Sequence, residues 1–347
     1  MTFDAKKLSS ITTQFFGFQE LIESSPFGSG HINDTFKITL KITGHPKSFL
    51  LQRINHRVFR NPEAVMRNIQ LVADHLSAST YSGKVLAPVL TLKKELFYLD
   101  ENENYWRVFP FFENTRSFQK VENERQAFEA ARAFGAFFKA LTDLEIQQLK
   151  VTIPNFHNGL KRLKNFEKAV EKARIVRSIV SREEVDFILA HQTIFQKIAA
   201  LKLPERTTHN DTKINNLLFD SKGEKAVAVI DLDTLMPGTI LSDFGDMART
   251  FTNAADEDAS DLTKVEMRQS IFTALHEGFL SETGSILTEV EKENLFEGAK
   301  WMTLMQALRF LTDFLEGDVY YKIKYPEHNL VRARNQLALF RSMIDRG

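Results

Sequence analysis

A change in hydrophobic spacing a third of the way along the chain limits the architectures open to it more than any other feature. Up to about residue 113 the apolar residues fall in short, strand-like runs: 36–42, 47–54 (KSFLLQRI), 89–93, 95–100, and YWRVFPFFE after the polar turn DENEN. One helical stretch interrupts them, 62–77, with Pro62 in its first turn behind Asn61. Strands, one helix and further strands suit an antiparallel sheet with a helix on one face. Beyond residue 113 the period becomes 3.6, over 123–144, 155–180, 182–201, 262–281, 289–316 and 327–344. A single passage departs from it. Within 207–234 two short apolar runs, NNLLF and AVAVIDLD, flank the turn SKGEK, which reads as a β-hairpin set into a helical region. The expected fold is α+β and two-lobed, with a small antiparallel β lobe over 1–113 and a larger, mainly helical lobe over 114–347 that carries the hairpin.

Composition removes several chemistries. The 347 residues contain no cysteine, which excludes disulfides, thiolate nucleophiles and Cys-bound zinc. Lys plus Arg and Asp plus Glu number 45 each. A chain with no net charge has no global electrostatic reason to bind nucleic acid or an anionic membrane. The opening MTFDAKKLSS has no apolar core of a secretion signal, and no run of apolar residues is long enough to span a bilayer, so the expected location is the cytoplasm. The 30 phenylalanines read as core, since many stand at strand or helix spacing.

The chemistry concentrates in THNDTKINNLLFDSKGEKAVAVIDLDTLMPG. Asp211 follows a histidine in a polar loop, Asn216 stands where the first apolar strand begins, and Asp231 falls inside the second, after a turn. A hairpin brings the ends of its two strands together, so Asn216 and Asp231 converge beside the loop of Asp211. An amide oxygen and a carboxylate are hard ligands suited to Mg²⁺, which takes its remaining oxygens from water and phosphates. Asp211 is then left to accept the proton of an attacking hydroxyl. Lys213, two residues on, is a cation placed to meet charge on a transferring phosphoryl group. Against this stands a polar turn with Asp211 as a cap, a reading that the following turn, strand and aspartate weaken. His209 reads as a structural histidine. Asp233 shares a strand face with Asp231, as a second ligand or a support.

These residues carry a resemblance. The passage resembles the catalytic and metal-binding segments of the aminoglycoside phosphotransferase/choline kinase superfamily, relatives of protein kinases. Within it the chain is most similar to N-acetylhexosamine 1-kinases, through FGSGHINDTFKI (27–38), FLLQRINHRVFRNPEAVMRNI (49–69), HNDTKINN (209–216), IDLDT (230–234), SDFGDMAR (242–249) and WMTLMQALRFLTDFLEGDVYY (301–321). The resemblance implies a protein-kinase-like fold, ATP and Mg²⁺, and phosphorylation of the anomeric hydroxyl of N-acetylglucosamine or N-acetylgalactosamine. It also implies that His31, Asp34, Arg309 and Tyr320 reach the sugar beside Asp211.

Other positions leave choices open. Gly28, Ser29 and Gly30 allow a tight turn close to phosphates, but the spacing is not that of a glycine-rich kinase loop, and an ordinary hairpin turn fits as well. The strand FLLQRIN lacks the lysine a protein kinase carries there. Arg53 is favoured for that role on charge, with Gln52 on the opposite face as the alternative, and an Arg53–Glu63 pair is conceivable. Phe109 and Phe111 lie where a kinase chain crosses between lobes and would pack on adenine, or serve as core. Asp243 and Asp246 read as supports of the site. Arg309 sits among apolar helix residues and needs a partner, either a substrate or Asp313 at i+4. The expected activity is an ATP-dependent sugar 1-kinase. The alternatives are a kinase for an aminoglycoside, choline or another sugar, and an inactive kinase-like binding protein. A protein kinase fits poorly, for the letters DFG fall twelve residues past Asp231 and no A-P-E follows.

Overall fold

The structure, a computed structural model, describes residues 5–28 and 32–346. Helix α1 (Ala5–Phe16) precedes a five-stranded antiparallel sheet built from β1 (Glu20–Pro26), β2 (Asp34–Ile42), β3 (His45–Ile54), β4 (Tyr98–Leu99) and β5 (Tyr105–Pro110) in the order β1-β2-β3-β5-β4. Helix α2 (Pro62–Ala78) crosses between β3 and β4, with the Asn61 side chain capping its N-terminus by accepting from Ala64 N at 3.0 Å. Strand alternation sorts the sheet into two faces. Phe36, Ile38, Leu40, Phe49, Leu51, Trp106 and Val108 pack with Leu8, Ile11 and Phe15 of α1. Ile54 and Phe109, from the other face, belong to the core shared with α2 and the helical lobe.

The chain leaves this sheet after Pro110 and forms β6 (Thr115–Arg116), then helices α3 (Glu124–Ala140), α4 (Gly159–Lys172), α5 (Ile175–Val180), α6 (Arg182–Ala190) and α7 (Thr193–Ala200). Strand β7 (Arg206–Thr208) pairs with β10 (Met236–Gly238), and between them β8 (Leu217–Asp220) and β9 (Ala226–Val229) form the hairpin, edged by β6. Helices α8 (Ile240–Thr252), α9 (Gln269–Thr283), α10 (Glu289–Glu293), α11 (Leu295–Glu316) and α12 (His328–Ile344) complete the lobe. Helix α11 is its axis, packed against α4, α8 and α12. It meets α8 at backbone distance, since a Cβ on Gly245 would stand 2.4 Å from Gly298 O. Any side chain there would push the two helices apart.

The two-lobed architecture is the one expected, and the element boundaries differ in physically explicable ways. Three long helical runs are each two helices, broken at 173–174, 191–192 and Asn294. The run from 262 begins as a single 3-10 turn, and α9 starts only at Gln269. Residues 89–93 form no strand. Val89 makes one bridge to Val108, and Thr91 N closes a turn onto Glu95 O instead. The run 95–100 keeps only the two residues of β4. Helices α1 and α8 and strand β1 lie outside the expected elements; α8 does carry an apolar stripe, Ile240, Leu241, Phe244, Met247, Ala248 and Phe251, and is buried along nearly its whole length because Asp243, Asp246 and Arg249 on its polar face are enclosed as well. Among the described residues no helix is long and apolar enough to cross a membrane.

A partly buried ion network closes the helical lobe. Glu257 accepts from Arg249 of α8 at 2.9 Å and from Arg332 of α12 at 3.1 Å. Burial opposes its ionisation, but the two guanidiniums outweigh it and hold the carboxyl near 2, below its ordinary 4.5. A depressed folded value contributes stability that is complete above pH ~4.5 and lost as pH falls toward ~2. The difference in unfolding free energy between the wild type and Glu257→Gln is therefore constant near neutrality and shrinks below about pH 4.5. Parallel denaturant titrations from pH 7 to 3 measure it, and a difference independent of pH would refute the assignment.

Candidate active site

The loop that carries Asp211, residues 209–216, is fixed by hydrogen bonds from its backbone and side chains to its neighbours. Asp243, in the first turn of α8, accepts from His209 N at 2.8 Å and Asn210 N at 2.6 Å, and its carbonyl accepts from Thr212 Oγ1 at 2.6 Å. Burial pushes the Asp243 carboxyl up to about 8 despite those two N–H donors. Asn210 holds φ = 66°, and its Nδ2 donates to Thr208 Oγ1 at 2.8 Å and Thr234 O at 2.9 Å, which anchors a left-handed turn that asparagine tolerates. His209 is structural. Its Nε2 lies 2.9 Å from Ile230 O and so carries the proton, which leaves Nδ1 to accept from Asp211 N at 3.3 Å. Its ring packs edge-on against Phe134, and burial lowers its pKa.

That frame presents Asp211. Lys213 Nζ lies 2.8 Å from its Oδ1, and Asn216 Nδ2 donates to its Oδ2 at 3.0 Å and its carbonyl at 2.8 Å. Burial opposes ionisation of Asp211, but Lys213, His209 and Asn216 together hold its carboxyl below the ordinary value. The same field raises the pKa of Lys213. The pair is therefore a fixed carboxylate and a fixed ammonium.

The hairpin does bring Asn216 and Asp231 to one place. Leu217 pairs with Val229, and Ile230 N donates to Asn216 O at 2.9 Å. Asp231 is not inside the strand, which ends at Val229; it stands just past it, in the left-handed region at φ = 58° and ψ = 58°. A non-glycine residue there is strained and persists where the surroundings require it. Asp231 is open to solvent, yet the enclosing protein and the carboxylates of Asp233 and Asp211 push its carboxyl up to about 7. Asn216 donates through Nδ2, and its Oδ1 accepts no hydrogen bond among the described residues. A free amide oxygen beside an under-neutralised carboxylate fits a divalent cation. Among the described residues no three His, Asp or Glu form a closed metal cage, so water and phosphate would supply the other ligands.

Asp233 is a support. Its carboxylate is gripped by Arg107 from β5, Nη1 to Oδ1 at 2.5 Å and Nη2 to Oδ2 at 2.9 Å, with side-chain exposures of 2% and 3%. Asn33 Nδ2 adds a third bond at 2.7 Å. Arg107 Nε in turn donates to Gln52 Oε1 at 3.0 Å. The preference for Arg53 over Gln52 is thus reversed. Gln52 shares the face of Arg107, whereas Arg53 lies on the other face of β3, held by Asp34 through Nε at 2.8 Å and by Asn104 at 3.1 Å. The Arg53–Glu63 pair does not form, for Glu63 pairs with Arg67 one turn along α2. Neither Arg107 nor Asn33 was singled out from the sequence. Arg107 gave a signal, a charge between Trp106 and Val108 in an apolar strand, and its partner lies 126 residues away.

The remaining candidates divide. Gly28 has φ = 81°, which glycine alone adopts freely, while Ser29, Gly30 and His31 lie outside the described residues. Phe109 is 3% exposed and points into the core beneath Arg107, so it is not open to a nucleotide. Phe111 is half-buried, edge-on to Phe27 at 5.4 Å and with Lys37 Nζ 4.1 Å above it. Asp246 pairs with Arg249 at 2.7 Å. Arg309 does not pair with Asp313, whose carboxylate accepts from the backbone of Val319, Tyr320 and Tyr321. Arg309 and Tyr320 both line a cavity of about 120 Å³ in the helical lobe.

The sequence profile of the phosphotransferase enzyme family that includes the aminoglycoside phosphotransferases matches residues 23–266. Three solved structures share the fold. A spectinomycin phosphotransferase, in complex with ADP and spectinomycin, superposes with a TM-score of 0.63 at 12% identity, covering 99% of this chain and 98% of its own. An amicoumacin kinase, in complex with AMP-PNP, Ca²⁺ and its antibiotic, gives 0.63 at 13% identity, covering 99% and 94%. A choline kinase from Cryptosporidium parvum gives 0.60 at 14% identity, covering 99% and 97%.

The Arg107–Asp233 pair is testable through stability. Asp233→Ala leaves a buried guanidinium without its counter-charge and is expected to cost about 3–5 kcal/mol. The double variant Arg107→Met/Asp233→Leu recovers much of that loss, because it removes both charges. Urea denaturation of the three proteins measures the loss and its recovery, and an Asp233→Ala variant as stable as the wild type would show that the pair does not hold the lobes.

Proposed function

The chain belongs to this phosphotransferase enzyme family, and from that premise we propose that it is an ATP-dependent kinase for the anomeric hydroxyl of N-acetylhexosamines, yielding the sugar 1-phosphate. One observation carries the chemistry: a carboxylate, Asp211, kept ionised by Lys213 at 2.8 Å and fixed by Asn216, beside a second carboxylate at Asp231 that lacks compensating charge. The anomeric hydroxyl is the most acidic in a hexose, so a plain carboxylate base suffices. As the acceptor oxygen bonds to the γ-phosphorus of ATP, its proton passes to Asp211. The bond from that phosphorus to the β,γ-bridging oxygen breaks, and ADP leaves with the electron pair. Lys213 offsets the charge spread over the phosphoryl oxygens.

Asn216 and Asp231 would hold Mg²⁺, whose charge, when bound, neutralises the phosphates. The β lobe, 1–113, is assigned to the nucleotide, with Gly28 at the phosphate turn and Phe111 beside the base. Arg53 acts there only by holding Asp34. The helical lobe, 114–347, is assigned to the acceptor, and its cavity favours an oxygen-rich sugar over a cationic amine. Arg309 and Tyr320 line it, and the buried Asp313 spends its carboxylate on backbone N–H groups rather than offering it to a cation.

Release of ADP from ATP·Mg²⁺ with a panel of free sugars, aminoglycosides and choline tests the assignment. N-acetylglucosamine and N-acetylgalactosamine are expected to stimulate it and the amines not; turnover of the amines alone would overturn the acceptor class. Asp211→Asn is expected to lower kcat by about 10²–10⁴-fold with ATP affinity and melting temperature retained. Wild-type turnover in that variant would remove Asp211 as the base.

A further inference from the structure

Helix α11 is buried almost throughout, and the exceptions are informative. Between residues 301 and 315 only Arg309 and Thr312, one turn apart, reach partial exposure. Both line the same cavity, together with Arg162 and Asn165 of α4 and the Tyr320–Tyr321 corner. A lobe that seals its central helix except at one arginine has left an opening there.

The two guanidiniums at this opening have no carboxylate partner among the described residues. Arg162 spends Nε and Nη2 on one acceptor, Phe156 O, at 3.3 and 3.2 Å. Arg309 donates through Nη1 to Gln306 Oε1 at 3.1 Å and stacks 5.0 Å from the Phe156 ring. Most of their N–H donors remain. Several other arginines of the lobe are matched to acids, as Arg206 is to Glu291, Arg249 to Asp246, and Arg177 to Asp318, while Arg268 is satisfied by the carbonyls of Val121, Phe251 and Thr252. Burial and the neighbouring charge of Arg309 lower the pKa of Arg162. Two carboxylates also line the cavity. Asp313 is spent on Val319 N, Tyr320 N, Tyr321 N and Asn329 Nδ2, and Glu316 is solvent-exposed and pairs with neither arginine.

The cavity lies in the same helical lobe as the loop of Asp211. His157 follows the phenylalanine that both arginines touch; burial and the charges of Arg309 and Arg162 lower its pKa while the charge of Asp211 opposes that fall, and its buried Nδ1 has no hydrogen-bond partner among the described residues. At about 120 Å³ the space is smaller than the ~300 Å³ or more that encloses a whole drug-sized ligand. It suits a substituent of an acceptor whose reacting hydroxyl lies at Asp211.

We infer that Arg162 and Arg309 form a subsite for an oxyanion, a carboxylate or phosphate, carried by the acceptor sugar away from the hydroxyl that is phosphorylated. The inference rests on the sugar-kinase reading above and narrows it to anionic N-acetylhexosamines. Paired guanidiniums match the planar or tetrahedral oxygens of such groups with charge-assisted hydrogen bonds, and Tyr320 and Tyr321 close the sides.

The test is calorimetric binding of three probes to the full chain saturated with AMP-PNP·Mg²⁺, which occupies the nucleotide's own phosphate site: N-acetylglucosamine, its 6-phosphate and 2-acetamido-2-deoxyglucuronic acid. At least one anionic probe is expected to bind about tenfold or more tightly than the neutral sugar. The phosphate and the uronic acid separate the two oxyanion sources. Arg162→Gln is expected to erase the preference, and Arg162→Lys to retain part of it. Should Arg162→Gln fail to fold, Thr312→Glu places an opposing carboxylate in the same opening with the same expected loss. Equal affinity for neutral and anionic sugars, or no binding of any probe, overturns the subsite. ADP release is measured separately. Anion-selective binding without phosphorylation of any sugar leaves the subsite standing and sinks the acceptor reading, whereas turnover without anion preference does the reverse.

Discussion

The fork of Arg107 on Asp233 is the contact on which the site depends. It joins the central region of the first sheet to the turn that carries Asp231, with both side chains withdrawn from water. A buried ion pair is a weak source of net stability, since desolvation offsets its Coulombic attraction. What it supplies is direction. Two parallel hydrogen bonds fix a guanidinium plane to a carboxylate plane, and the Asn33 bond ties the end of the loop before β2 to the same carboxylate. Three segments distant in sequence, the turn above the sheet, β5 and the hairpin, thereby share one anchor.

The anchor explains the strain beside it. Asp231 holds a left-handed backbone two residues before Asp233, and a neighbour clamped from the opposite lobe keeps it there. It also explains why β3 needs no lysine on its inner face. Gln52 serves as the acceptor that orients Arg107 through Nε, so the charge on that face sits one strand over. Arg53, on the other face, is absorbed by Asp34 and Asn104.

The helical lobe follows the same logic with different parts. Asp243 arrests the loop of Asp211 by accepting two consecutive backbone N–H groups, and α8 can present it because Gly245 lets that helix lie on α11. Helix α11 then carries Arg309 to the cavity it lines with Arg162 and Tyr320. The loop of Asp211 and the cavity lined by Arg309 are thus both held by elements packed on α8 and α11, which fixes their geometry.

The residue order alone determined the lobe types and the hairpin, because both follow from local periodicity: alternation before residue 113, a 3.6 period after it, and a polar turn between two apolar runs. It also determined that Asp211, Lys213, Asn216 and Asp231 would meet, since a hairpin joins its own strand ends. Tertiary structure decided which polar side chain of β3 faces Arg107, that Asp233 is a support, that Asp313 caps a turn rather than pairing with Arg309, and that Phe109 is core. Each of those depends on a partner far along the chain, 126 residues in the case of Arg107 and Asp233. Local spacing holds no information about such a partner, because contact between distant residues is set by how the lobes pack and not by the period of either one.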